Sequence, residues 1–390
     1  MASSTWIGFD GRRSPSLAAL FIPRSFAALV LCCLSFCAIP AVSEEHWDIQ
    51  YRYRQIDSTL TINDFAFPDE QHGIACGYTT DRKDKDHPLL LLTRDGGETW
   101  SEVVGKEACL SMFFLGDTTG WMVTDTGIWT TEEAGRTWVK QKTVLTGALR
   151  VWFFDHQHGF AAGRQKQVWE TKDGGATWTP LAVASSAPGD PVYTTYGDIS
   201  FNGLNGIISG WNIPPRRGGP DWMEPDQAAA AKQVPHVAVL LETKTGGETW
   251  VASHTSLFGQ ITRTSLSADN MGLGLVEFRD QFDYPSEVYR IDLSNGKNEL
   301  SFRAKDRAIT DVRIFASPIR GLIAGYETSG PVYRSPIPGK LKVLTSSDLE
   351  NWTEMPVDYR AVAHSALISG PDDKHVWIAT DTGMILKLVQ

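Results

Sequence analysis

The sequence predicts an all-β chain, a seven-bladed β-propeller of four-stranded antiparallel blades, and three observations carry that expectation. The first is an octet, Thr93-Arg94-Asp95-Gly96-Gly97-Glu98-Thr99-Trp100, that recurs as Thr171 to Trp178 and, with Glu133 or Thr245 in place of the Asp, as Thr131 to Trp138 and Thr243 to Trp250. Each copy follows an apolar run and precedes another, so it reads as a hairpin turn in which Gly takes the φ > 0 positions and Asp accepts backbone N–H bonds. The second is an upstream pattern, Asp64-Phe65-Ala66-Phe67-Pro68-Asp69-Glu70-Gln71-His72-Gly73-Ile74-Ala75-Cys76-Gly77, echoed at 112–121, 151–163 and 198–210. It reads as two strands about an Asp/Asn-Gly turn. The third is spacing: Trp100, Trp138 and Trp178 follow one another at roughly 40 residues, the period of a four-stranded propeller blade.

Counting along the chain gives the blade number. Trp178 to Trp250 exceeds one blade because of a Pro-rich insertion from Trp211 to Pro235, between the second and third strands. Trp250 to Trp352 fits two blades. The first has lost its Trp and turns at Ser294-Asn295-Gly296; the second ends in Ser346 to Trp352, a shortened octet around Asp348. The C-terminal segment then supplies three strands, at 361–369, 376–380 and 384–389. His46-Trp47-Asp48 resembles the start of every fourth strand, so the N-terminal segment is expected to complete the seventh blade and remove an exposed sheet edge.

Residues 1–43 read as an export leader: Arg12, Arg13 and Arg24 precede the apolar run Phe26 to Ala38, and Ala41-Val42-Ser43 offers a cleavage site. The run is short for a membrane span, so the mature chain, residues 44–390, is expected to be a single domain without one. Export to the periplasm or outside the cell follows, or to the thylakoid lumen in a photosynthetic host. The 390-residue chain is 42% hydrophobic and 11% aromatic, enough for a globular core, and its formal charge is −10. An acidic exported chain is a poor nucleic-acid binder. Of five cysteines, three leave with the leader; Cys76 and Cys109 form either one disulfide or two buried thiols.

Ser/Thr-x-Asp-x-Gly-x-Thr-Trp resembles the Asp-box (BNR) repeat. Its pairing with Phe-x-Asp-x-x-x-Gly-Phe-x-x-Gly resembles the photosystem II stability/assembly factor-like propellers. That resemblance implies that Asp95, Asp173 and Asp348 are structural, that Trp100, Trp138, Trp178, Trp250 and Trp352 pack blades, and that the boxes lie opposite the usual binding face. Assembly factors of this type imply a protein partner or assembly intermediate, with a glycan as the other candidate ligand.

Propeller geometry puts turns within the first and third hairpins on a lower rim and the remaining connections on an upper rim. The upper rim would gather Tyr193, Tyr196, Trp211, Arg216, Arg217, Trp222, Arg279 and Tyr284 near the channel mouth, with Arg150 and Arg263 at the starts of first strands. Aromatic and Arg enrichment suits a protein-binding surface, and a monomeric, non-enzymatic scaffold is the reading that follows. The alternative is a glycoside hydrolase of the sialidase or related Asp-box type. It would draw on Glu277, Tyr284 and Glu287, or on Asp221, Glu224, Asp226, Asp280 or Asp283, but the Arg-Ile-Pro motif of sialidases is missing. No metal and no cofactor is predicted. His72, His156 and His158 belong to the recurring turn, and Gly-Gly pairs end strands instead of opening helices.

Overall fold

A computed structural model describes residues 45–214, 235–267, 269–278, 284–316, 318–328 and 337–390. Strand β1 (His46–Arg52) is set aside for the last sheet. The first sheet holds β2 (Ser58–Ala66), β3 (Gly73–Asp81), β4 (Asp86–Thr93) and β5 (Ser101–Val104). The second holds β6 (Cys109–Leu115), β7 (Thr119–Thr124), β8 (Gly127–Thr131) and β9 (Val139–Lys140), and the third β10 (Ala148–Phe153), β11 (Gly159–Gly163), β12 (Val168–Thr171) and β13 (Thr179–Pro180). A short helix, α1 (Ala182–Ser186), leads into the fourth: β14 (Thr194–Asn202), β15 (Asn205–Asn212), β16 (His236–Thr243) and β17 (Val251–Leu257). The fifth holds β18 (Gln260–Leu266), β19 (Met271–Glu277), β20 (Ser286–Asp292) and β21 (Lys297–Arg303). The sixth holds β22 (Arg307–Phe315), β23 (Arg320–Glu327), β24 (Leu341–Ser346) and β25 (Thr353–Glu354).

The last sheet runs β26 (Ala366–Ser369), β27 (Trp377–Thr380), β28 (Met384–Val389) and then β1, whose Trp47 faces Leu388 in antiparallel register. Every sheet is an antiparallel meander. The first strands touch in the order β2, β6, β10, β14, β18, β22 and β26, and β26 returns to β2, so seven blades surround one channel.

Two glycines that recur on the second strands of the first, third, fourth and sixth blades explain the packing. The first, at the start of the second strand, sits under an inner-strand ring: a Cβ on Gly73 would lie 2.3 Å from the Phe67 ring, on Gly159 2.5 Å from Phe153, and on Gly206 2.1 Å from Phe201. The second lies opposite a β-bulge. The register of β2 on β3 slips between Ile62 and Asp64, and a Cβ on the facing Gly77 would sit 1.8 Å from the Thr61 carbonyl oxygen. Gly163, Gly210 and Gly325 stand in the same relation to the bulges of β10, β14 and β22. At these four sites the missing side chain lets the bulged backbone come this close; the bulges of β6 and β18 face Thr124 and Val276 instead.

Blades are joined by aromatic stacking and by the boxes. Trp377 stacks on Phe67 and Trp121 on Phe153, each at 3.7 Å between centroids. The indole N–H of Trp377 donates to the Gly96 carbonyl at 3.1 Å, and that of Trp121 to Gly174 at 3.2 Å, so each box docks on the preceding blade. Cys76 and Cys109 form a disulfide between the first two blades. Closing a 33-residue span restricts the unfolded chain by roughly 3–4 kcal/mol.

Gly77→Ala should destabilise the fold by about 1–3 kcal/mol through overpacking against the Thr61 carbonyl, read as a lower urea midpoint; an unchanged midpoint would show that the bulge is not held by close approach.

Candidate functional site

Because each bulge adds one residue to the inner strand, the residue after it turns into the channel. Asp64, Ser111, Arg150, Asp198, Arg263 and Asp311 occupy this position on β2, β6, β10, β14, β18 and β22. Leu367 stands at the equivalent place on β26, as judged from the Ile368 N–H that binds Asp311. Two residues on, the same strand faces present Ala66, Phe113, Trp152, Ser200, Ser265, Arg313 and Ser369. Both layers, Ser111 excepted, line a cavity of about 510 Å³, formed by all seven inner strands and reaching Pro68, Ala316 and Pro371 in the turns that follow them. The cavity therefore opens toward the lower rim, at the end of the channel where the boxes lie.

The acids of this ring act as staples between blades. Asp64 Oδ2 accepts the Met112 N–H from the next blade at 2.8 Å, Asp198 Oδ2 accepts the Thr264 N–H and hydroxyl at 2.7 Å each, and Asp311 Oδ2 accepts the Ile368 N–H at 2.6 Å. Charge-assisted bonds of this kind contribute about 1.5–3 kcal/mol each. Ser265 and Ser369 repeat the device one layer down, accepting the N–H groups of Ile314 and Phe67.

Burial acts against the charges here. It pushes the Asp311 carboxyl up to about 6, against the pull of Arg263 and of the Ile368 and Val312 N–H groups. Removal from bulk water lowers the Arg150 guanidinium, and the like charge of Arg263 lowers it further. Arg263 meets the same desolvation but is carried above its ordinary value by Asp311, Asp198 and Asp64.

The boxes carry a different chemistry. Asp95 Oδ1 accepts the Thr99 N–H at 2.9 Å and the Thr93 hydroxyl at 2.8 Å, and Oδ2 accepts the Thr99 hydroxyl at 2.5 Å. Asp173 repeats these bonds with Thr177 and Thr171. Asp348 takes the N–H groups of Asn351 and Glu350, and Leu349 stands at φ 60° in its shortened turn. The donors hold all three carboxyls below their ordinary value, led by Thr99, Thr177 and Asn351 respectively. The box tryptophans pack edge-on against inner-motif rings: Trp100 on Phe67, Trp138 on Phe114, Trp178 on Phe153 and Trp250 on Phe160, with Trp352 against Phe302.

The expected upper-rim residues fare unequally. Tyr193 is exposed at the end of a 3-10 turn capped by Asp190. Tyr196, in contrast, is fully buried: strand alternation turns it into the core of the fourth blade, and its hydroxyl donates to the Ala184 carbonyl. Trp211 lies across Gly197, the bulged residue of β14. Tyr284 is covered by Arg303 and Lys305 at 4.6 and 5.3 Å. Arg150 and Arg263 stand midway along the channel instead of at its upper mouth, because the bulge aims them inward. Arg216, Arg217, Trp222 and Arg279 lie outside the described residues, as do Asp221, Glu224, Asp226, Asp280 and Asp283.

Two turn clusters have the ligand types for a metal ion, with ligand atoms within 4.8 Å: Asp69, His72 and Asp117, and Glu70, Asp372 and His375. In both, the imidazole Nδ1 is already paired with the Asp of its own turn, at 2.8 and 2.9 Å. His158 is likewise engaged, with Glu170 at 2.9 Å.

The shift at Asp311 sets a pH dependence. Its folded value lies above the ordinary 3.8, so the stability it contributes is present below about pH 4 and is lost as pH rises through about 6. Unfolding free energies of Asp311→Asn relative to wild type should shift in the variant's favour across that interval and level off above pH 7; a difference that does not vary with pH would contradict the buried charge.

The comparisons agree with this architecture. Residues 142–215 match the family model described as photosynthesis system II assembly factor YCF48. No curated protein sequence matches the chain. Among solved structures, a YCF48 bound to D1 peptide is 18% identical, covers 90% of this chain and 100% of its own, and superposes with a TM-score of 0.57. YCF48 from Cyanidioschyzon merolae is 15% identical over 88% of this chain and 98% of its own, with a TM-score of 0.55. The GH74 xyloglucanase from Xanthomonas campestris also reaches 0.55, at 11% identity, over 88% of this chain and 53% of its own. Repeat, fold and family match together describe a seven-bladed BNR-type β-propeller that resembles the YCF48 family of photosystem II assembly factors.

Proposed function

We propose that this chain is a non-enzymatic, exported propeller that binds a protein partner or assembly intermediate through its upper rim. The observation that supports a protein partner most directly is the likeness to a YCF48 whose structure holds a D1 peptide. The residues that carry the repeat are spent on architecture. The box acids hold their own turns, and the channel acids hold the next blade, which leaves recognition to the loops. On the upper rim, Val192 and Tyr193 form an exposed apolar step beside the strand that bears Trp211. An apolar aromatic surface of this kind suits a peptide or protein ligand.

Export is part of the same reading. Residues 1–43 have the charge and apolar layout of a cleaved leader, and no helix among the described residues is long and apolar enough to cross a membrane. The compartment is the periplasm or the extracellular space, or the thylakoid lumen in a photosynthetic host. N-terminal sequencing of the mature protein should begin at Glu44.

The upper-rim assignment is tested by affinity capture from the exported fraction of the native host. A Val192→Ser/Tyr193→Ala variant should lose its specific partner by about tenfold, roughly 1.4 kcal/mol, while Leu204→Ser on the lower rim should retain it. Retention of every partner by the first variant would sink the assignment. Hydrolysis of sialosides or β-glucans at enzyme-like rates, abolished by Glu277→Gln, would instead establish the glycoside hydrolase.

A further inference from the structure

The channel cavity holds three guanidinium groups whose commitments differ. Arg150 donates from Nη1 to Asp64 Oδ2 at 3.0 Å. Arg263 donates to the carbonyl of the adjacent Thr262 at 3.0 Å, and its Nε stands 3.7 Å from Asp311 Oδ1. Arg313, one layer nearer the opening, is exposed to the cavity and has no hydrogen bond or ion pair among the described residues; its neighbour is the Phe315 ring at 5.8 Å. A guanidinium carries five N–H donors, so the cavity is rich in donors that the fold does not use.

The acids facing these groups are Asp64, Asp198 and Asp311, with Glu277 acting on Arg263 from β19; Arg313 is lowered by burial, against the pull of Asp311. Three acids match the three guanidiniums in formal charge, but not in hydrogen-bonding capacity. Asp64 and Asp311 each use both oxygens on backbone N–H groups, and Asp198 receives two bonds on one oxygen. Asp64 Oδ2 also accepts the Arg150 bond, so these acids engage one N–H of Arg150 and leave the other guanidinium donors of the cavity without a carboxylate hydrogen bond. Like charge between Arg150 and Arg263 adds to this, since an anion placed between them would offset the repulsion each exerts on the other. On the opening side, Phe113 and Trp152 pack together at 5.4 Å and give the cavity an apolar wall.

We propose that this cavity is a carboxylate-binding site, with Arg313 as the first contact from the lower rim and Arg150 and Arg263 behind it. Planar guanidinium groups match carboxylates in two-bond geometry. The chemistry fits either the acidic end of a peptide or a free organic acid small enough for the cavity. This site is separate from the upper rim, at the other end of the channel, so it stands or falls independently of the partner surface proposed above.

Isothermal titration calorimetry of the whole protein at low salt separates these cases, using succinate, the peptide acetyl-Gly-Ser-Gly-Ser-Glu with a free C-terminus, and its Gln analogue with an amidated end. We expect a carboxylate probe to saturate the protein, the amidated analogue to fail, and Arg313→Gln to weaken binding at least about tenfold while the variant still unfolds in one cooperative transition. Succinate binding as tightly as the peptide assigns a free acid; tighter peptide binding assigns a chain end or acidic side chain. Arg150→Gln should weaken binding too, but it also releases Asp64, so Arg313→Gln is the deciding variant. The proposal is overturned if neither carboxylate probe saturates, or if Arg313→Gln binds as wild type does.

Discussion

The structure depends on one backbone event repeated around the ring, the bulge near the start of the inner strand in six of the seven blades. Without the extra residue, strand alternation would carry Asp64, Asp198 and Asp311 to the wrong face. With it, their carboxylates reach the first free N–H groups of the neighbouring blade, at Met112, Thr264 and Ile368. The facing Gly77, Gly210 and Gly325 make the bulge sterically possible. A propeller has little hydrogen bonding between sheets, so these side-chain bonds are where blades are tied edge to edge near the axis. Further out, aromatic stacks such as Trp377 on Phe67 and Trp121 on Phe153 take over that task.

Blade number, strand order and turn positions were legible because they rest on local chemistry. A Thr-x-Asp-Gly-Gly-x-Thr-Trp turn dictates its own bonds: Thr93, Asp95 and Thr99 close the loop without help from distant residues. Degenerate copies remain readable for the same reason. Thr245 takes the Thr249 N–H that an Asp would have taken, and Glu133 still reaches the Thr137 hydroxyl.

The channel was not legible to the same degree. Arg150 and Arg263 were visible as residues of first strands, but their height in the channel depends on where each bulge falls. A bulge moves a side chain to the other face while leaving the hydrophobic pattern almost unchanged. Tyr196 shows the cost of that ambiguity: it precedes the bulge by one position and is in the core, although its loop-end location suggested the rim. Arg313 has no sequence signature, since a lone Arg two residues after an Asp forms no motif. The usable signal is the Gly-x-x-x-Gly spacing of β3, β11, β15 and β23, whose second glycine marks the bulge opposite; β19, opposite Arg263, has Val276 at that place and gives no such mark.

The two kinds of acid in this protein show how the same side chain acquires opposite electrostatics from its surroundings. Asp95, Asp173 and Asp348 sit in exposed turns, where converging donors cost little desolvation and hold the carboxyl low. Asp311 receives comparable donors, yet burial between blades outweighs them and drives its carboxyl upward. The box acids thus stabilise the fold only above the ordinary carboxyl range, whereas Asp311 is tolerated as an anion because Arg263 stands opposite. An arginine in the channel is needed first to make the staple ionisable. Arg313 also pulls on Asp311 through space, but unlike Arg150 and Arg263 it makes no hydrogen bond to the fold among the described residues.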